Sequence, residues 1–235
     1  MKLSNKTIVV TGASDGIGKQ VALRLAKEHT RLILIARNEA RLQETKTEAE
    51  KNGAALVAIY PCDIGDIQKL KKIIQKIIFD YPQIDILLNI AGIWQKMMPV
   101  EEINEELIDE VIQTNLTGLI HCTRLLLPIL KKQKEAAIIN VSSKSGIVAQ
   151  AGQSVYTASK YGVKGFTEVL KVDLKGTAVR VAGVYQSGTN TKMFHKAGDN
   201  PPIDKFTNPA DLADIIVYML SRPEKTWIHE IQVEY

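Results

Sequence analysis

Tyr156 and Lys160, four residues apart in "SVYTASKYGVKGF", fall on one face of any helix that contains them. The residues around them read as buried, and a buried ammonium is costly unless its charge has a use. One use is to ionise the neighbouring phenol. A free tyrosine titrates near ~10, so ionisation at neutral pH needs roughly 3–4 kcal/mol. A nearby ammonium plus positive charge on a ligand is of that order. Thirteen residues before Tyr156, "IINVSSKSG" places Ser142 and Ser143 at the end of an apolar run. Serine, tyrosine and lysine, with no histidine in register, argue against a hydrolase triad. They suit proton transfer to a carbonyl oxygen beside a hydride donor.

A second chemical signal lies near the start, in "TGASDGIGKQVALRLA". Gly12, Gly16 and Gly18 stand between a strand pattern and an amphipathic helix pattern. Backbone that turns sharply or approaches a ligand closely needs glycine. The helix start beyond it offers free N–H groups to a pyrophosphate. After a first strand and before a helix, this reads as a dinucleotide turn. The second strand then ends in "LILIARNEARL", with Ala36 followed by Arg37 rather than an acid. A guanidinium there suits a 2′-phosphate, hence NADP(H) over NAD(H), unless Arg37 merely opens a solvated helix face. Asp15 is a counter-signal, being an anion within the phosphate turn. Asp63, in "YPCDIGD", is placed to meet an adenine amino group or to cap the next helix.

These residues need a frame. Strand patterns recur at Thr7–Thr11, Arg31–Ala36, Leu56–Tyr60, Ile84–Asn89, Ala137–Val141, Val179–Val184 and Ile228–Val233. Helical patterns run near 17–29, 39–52, 66–80, 105–132, 155–175 and 209–221. Nearly continuous apolar strands are those of a parallel sheet covered on both faces. The reading is therefore α/β, a Rossmann-like doubly wound parallel sheet of seven strands with helices on both faces. With 235 residues, 45% hydrophobic and 24% charged, the chain suits one dinucleotide-binding and catalytic domain over 1–235. Residues 186–208 lack any period and read as a substrate lid or as a plain surface loop.

A net charge of +4 and lysines clustered on helix faces give no nucleic-acid footprint. No apolar run approaches a membrane span. Cys62 and Cys122 make neither a disulfide framework nor a metal-ligand set, so no metal is expected. A cytoplasmic protein is the expectation.

In this order and spacing, the motifs resemble those of the short-chain dehydrogenase/reductase family, in its compact single-domain branch. "TGASDGIG" matches TGxxxGxG, "NIAG" at 89–92 is similar to NNAG, and "YTASK" matches YxxxK. Asn115, in "QTNLTG", stands where that family has a catalytic asparagine. The resemblance implies an NADP(H)-dependent oxidoreductase acting on a small carbonyl or alcohol substrate, as a homodimer or homotetramer. A 3-oxoacyl thioester reductase is the runner-up, and a non-enzymatic dinucleotide sensor a remoter one. It makes Tyr156 the general acid or base, with Lys160 lowering its pKa and bonding the nicotinamide ribose. Ser143 would hold the substrate oxygen, and Asn115 a water-linked proton relay. Cofactor contacts would come from Gly12, Ser14, Asp15, Gly16, Ile17, Gly18, Arg37, Asp63, Asn89, Ala91, Gly92, Thr189 and Thr191. One departure stands out: Gln186-Ser187 replaces an expected Pro-Gly after the sixth strand. Without proline the chain regains an N–H and a free φ, which predicts a softer or differently shaped turn.

Overall fold

Seven short apolar segments in this chain can satisfy their backbone groups only by pairing with one another. They do so in parallel throughout. The computed structural model describes residues 1–235, the side chain of Glu224 excepted. The strands are β1 (Thr7–Thr11), β2 (Arg31–Ala36), β3 (Leu56–Pro61), β4 (Ile86–Asn89), β5 (Ala136–Val141), β6 (Val179–Gln186) and β7 (Glu230–Val233). Their order in the sheet is β3-β2-β1-β4-β5-β6-β7. Alternation sorts the side chains between two faces. Ile8 and Val10 join one core with Leu32 and Leu34, while Val9 joins the other with Ile33 and Ile35.

The helices are α1 (Gly16–Ala26), α2 (Glu39–Lys51), α3 (Ile67–Asp80), α4 (Glu105–Ile112), α5 (Gly118–Leu130), α6 (Ser154–Asp173), α7 (Met193–Lys196) and α8 (Pro209–Ser221). The first core is closed by α1, α2 and α8 through residues such as Val21, Leu42 and Ile216. The second is closed by α3, α5 and α6 through residues such as Ile74, Leu126 and Leu170. Short polar side chains start these helices as expected of N-caps. Asp15, Asn38, Asp66, Asn104 and Asn208 each accept from a backbone N–H in the first turn of α1, α2, α3, α4 and α8 respectively. The chain reverses its direction of winding between β1 and β4, so a crevice opens beyond their C-terminal ends.

Two expectations are corrected and one is resolved. The single helix expected over 105–132 is two, α4 and α5, separated by a π-helical turn at Gln113–Thr117. The chain is helical directly on both sides of that turn, so a coarse reading runs the two helices together. Of the alternatives for the turn after β6, the structure shows a changed shape: the strand runs on through Gln186, opposite Val233. Ser187 N then donates to Val233 O at 2.8 Å. The fourth and seventh strands begin two residues later than their apolar runs, at Ile86 and Glu230.

Candidate active site

Two cavities meet beyond the C-terminal ends of the strands. The first, about 700 Å³, runs from the start of α2 past the glycine turn to the loop after β4. Its lining includes Gly12, Ser14, Asp15, Gly16, Ile17, Gly18, Arg37, Asp63, Ala91 and Gly92. The second, about 550 Å³, is lined by Ser143 and Tyr156, with Thr189. Ile17, Trp94, Thr191 and Met193 line both, so the two spaces share a wall.

The glycine turn is built for close approach. A Cβ on Gly18 would lie 2.3 Å from the carbonyl oxygen of Gly12, and one on Gly12 would lie 2.8 Å from Ala91 Cα. Gly12 also has φ +72°, where other residues are strained. The charge of this cavity is positive: Arg37, Arg41, Lys96, Lys192 and Lys196 face only Asp15, Asp63 and Glu110. A cradle without side chains, a helix start and surplus cations together fit a dinucleotide carrying an additional phosphate.

Asp15 is no obstacle to that fit. It caps α1 through Gly16 N at 2.8 Å and pairs with Lys196 at 2.8 Å and Arg41 at 3.2 Å. Burial works to raise its pKa, but the Lys196 and Gly16 hydrogen bonds and the nearby cations hold the carboxyl below the usual range. Arg37 is half-exposed and shared between Glu110 at 3.2 Å and Asp63 at 3.5 Å. Arg41, in the first turn of α2, lines the same cavity and is a contact that sequence reasoning misses, since Arg37 lies before the helix and no helical spacing links the two. The alternative capping role of Asp63 belongs to Asp66, which accepts from Lys69 N at 3.0 Å.

Asn89 departs from expectation. It is buried, away from either cavity, and donates to Thr123 Oγ1 at 3.0 Å and Asn140 Oδ1 at 2.8 Å. It ties β4 to β5 and α5 rather than touching a ligand. Asn115 differs too. The π-turn aims its amide at Ile93, whose N–H it accepts at 2.8 Å and whose carbonyl it bonds at 3.0 Å. It also donates to Ser159 Oγ at 3.2 Å. The side chain is a brace on the loop after β4, with no direct bond to Tyr156 or Lys160 among the described residues.

That loop holds Tyr156 from two sides. The Trp94 ring meets the phenol edge-on, with centroids 4.6 Å apart. Gln95, fully buried, reaches the start of α6, where the Gln153 side chain leaves the N-cap position without a bond. Its Oε1 accepts from Tyr156 N at 2.9 Å and Val155 N at 3.1 Å, while Nε2 donates to Gly152 O at 3.1 Å. Two free N–H groups of the helix start are thus capped from a segment sixty residues away in sequence. Nothing in the sequence marks Gln95, because the contact is made only by the folded chain.

Lys160 lies with Nζ 5.5 Å from the centre of the Tyr156 ring. A Cβ on Gly92 would lie 3.3 Å from that Nζ, which places the ammonium on the side of the first cavity. Burial pushes the phenol up to about 12, with a Ser143 hydrogen bond pulling weakly the other way. Burial also pushes Lys160 down to about 8. Burial thus opposes the ionisation that the Lys160 ammonium and a cofactor's positive ring are expected to favour, and by itself it holds the phenol as a neutral acid.

The family model described as short chain dehydrogenase matches residues 6–202. The chain is 33% identical to the 3-oxoacyl-(acyl-carrier-protein) reductase FabG of Thermotoga maritima over 229 residues, covering 94% of this chain and 92% of that protein. It is 30% identical to the NADP-dependent 3-hydroxy acid dehydrogenase of Schizosaccharomyces pombe, covering 99% and 93%. Among solved structures, the closed form of serine dehydrogenase complexed with NADP+ superposes with TM-score 0.87 at 28% identity, covering 96% and 93%. A metagenomic short-chain oxidoreductase in complex with NADP gives 0.86 at 26% identity, covering 100% and 98%.

Removing the distant cap tests how this arrangement is held. Gln95→Leu leaves the Val155 and Tyr156 N–H groups unpaired, while the Gly152 carbonyl keeps its bond from Met98 N, and is expected to cost about 2–4 kcal/mol in urea unfolding. A cost below about 0.5 kcal/mol would show that water or a shifted side chain replaces it.

Proposed function

The chain belongs to the short-chain dehydrogenase family, and we propose that within it this protein is an NADPH-dependent carbonyl reductase with Tyr156 as proton donor. One observation carries the reading: Ser143 and Tyr156 line a cavity that shares a wall with the glycine-turn cavity. A binding module would have no need of a buried acid at that junction.

The NADP(H) assignment is supported by the surplus of cations in the first cavity and by the relative and neighbours named for that cofactor. Arg37 and Arg41 would hold the 2′-phosphate, and the glycine turn with the start of α1 the pyrophosphate. When bound, NADPH supplies the hydride. The chain's own residues do the rest. Ser143 Oγ holds the substrate oxygen, and Tyr156 Oη gives its proton to that oxygen as negative charge develops there. An alkoxide is a far stronger base than a phenolate, so a phenol held near 12 still transfers its proton. The Lys160 ammonium then stabilises the phenolate left behind. This assignment favours reduction, the direction in which Tyr156 must begin protonated. Residues 186–208 act as the lid, since Phe194 packs on Trp94 and Asp199 accepts from the Trp94 indole N–H at 3.1 Å.

Two measurements check this reading. NADPH oxidation with a panel of activated ketones is expected to be readily detected for the wild type and to fall at least ~100-fold in Tyr156→Phe. Undiminished turnover by the variant would refute the proton donor. The same substitution in NADH assays keeps the cofactor preference separate. The second concerns pH. Only the ammonium form of Lys160 stabilises the phenolate, and that form is lost above about 8. The kcat/KM for reduction is expected to fall along an alkaline limb near pH 8, and Lys160→Arg should remove that limb at the cost of a lower plateau. A profile flat to about pH 10 in the wild type would contradict the role.

A further inference from the structure

We propose that the second cavity takes an uncharged ketone that carries a ring, aryl or alicyclic, beside its carbonyl, a proposal that rests on the reductase reading above. A continuous run of aromatic rings lines this cavity along with Ser143. From Tyr156 it passes to Trp94 at 4.6 Å between centroids, to Phe194 at 5.0 Å, to Phe206 at 5.5 Å and to Tyr235 at 4.9 Å. The first three contacts are edge-on, the geometry in which ring quadrupoles attract. The run therefore presents ring faces and edges at fixed angles, a surface that a flat or puckered ring matches better than a flexible chain. A volume of about 550 Å³ suits one or two fused rings beside the reacting carbonyl.

Charge narrows the choice further. Among the described residues, the charged groups lining this cavity are Lys144, Asp199 and Glu234. Lys144 is paired with Glu234 at 3.0 Å, and Asp199 accepts from the Trp94 indole. One engaged ammonium thus stands against two carboxylates. Lys160 sits across the junction beside Gly92. A carboxylate or phosphate on the substrate would find no free cation and would meet net negative charge. The first cavity has the opposite balance, with five cations against three carboxylates. The molecule separates a basic trough for a polyanion from an aromatic, slightly acidic chamber for a neutral ring. That sets it apart from relatives whose names specify 3-hydroxy acids or carrier-borne acyl groups.

The test measures kcat/KM with NADPH for acetophenone, 4-acetylbenzoate, 2-butanone and acetoacetyl-coenzyme A. Acetophenone is expected to exceed each of the other three at least about tenfold, the size of one aromatic contact or one unpaired buried charge. Phe194→Ala should lower the ratio of acetophenone to 2-butanone about tenfold. Glu234→Gln, which frees Lys144, should raise the ratio of 4-acetylbenzoate to acetophenone about fivefold or more. Better turnover of the acid, of the thioester or of 2-butanone overturns the proposal while leaving the reductase reading intact. So does an acetophenone preference that neither variant moves. Absence of turnover across the whole panel overturns both.

Discussion

Everything at this site follows from keeping water away from two ionisable side chains, Tyr156 and Lys160. Exposure of each is only 4%. In such surroundings charge is penalised whichever group carries it, so the phenol moves up and the ammonium moves down. Between about 8 and the ordinary lysine value of 10.5 the native state binds fewer protons than the unfolded chain. Lys160 therefore lowers stability on the acid side of that window, and the rest of the fold must offset it. The offset is visible in how the pair is held. Gln95 caps the start of α6, Trp94 packs on the phenol ring, and Asn115 fixes the loop that carries both through Ile93. Ser142 Oγ fastens the other side by donating to Lys160 O at 3.0 Å.

The sheet supplies the place where such a pair can work. Winding reverses between β1 and β4, and the ends of these strands open into one crevice. The two cavities within it differ in sign as well as in shape. Cations collect around the glycine turn, where phosphates belong, and aromatic rings around Ser143 and Tyr156. Proton and hydride chemistry both need the reacting carbon kept dry. Phe194 and Asp199, from the segment after β6, reach Trp94 without bringing a free charge into the chamber.

Much of this was legible in the sequence because it is local. The glycine spacing, the four-residue step from Tyr156 to Lys160 and the apolar strands are each set by neighbours within a few residues, and the structure places them as read. What escaped is non-local or depends on solvent. Gln95 has no pattern, since its partners on α6 are brought to it by folding. Asn89 looked like a ligand contact because "NIAG" stands where a cofactor motif is expected, yet the strand turns its amide towards Thr123 and Asn140. The π-turn at Gln113–Thr117 is flanked directly by α4 and α5, so the three read as one helical run. The replacement of Pro-Gly by Gln186-Ser187 is visible in the sequence, but not that the segment extends beside β7, a strand more than forty residues away along the chain. The effect of burial on the phenol is hidden for the same reason as the rest, because spacing reports a neighbouring charge and not the loss of water around it.

The state of that phenol is the central claim, and a tyrosinate titration in the ultraviolet reads it directly. Comparing the wild-type protein with Tyr156→Phe isolates a single residue from the seven tyrosines. The account predicts that the two curves coincide up to about pH 10, because Tyr156 keeps its proton to about 12. A tyrosinate that forms in the wild type near pH 7–8 and is missing from the variant would contradict it.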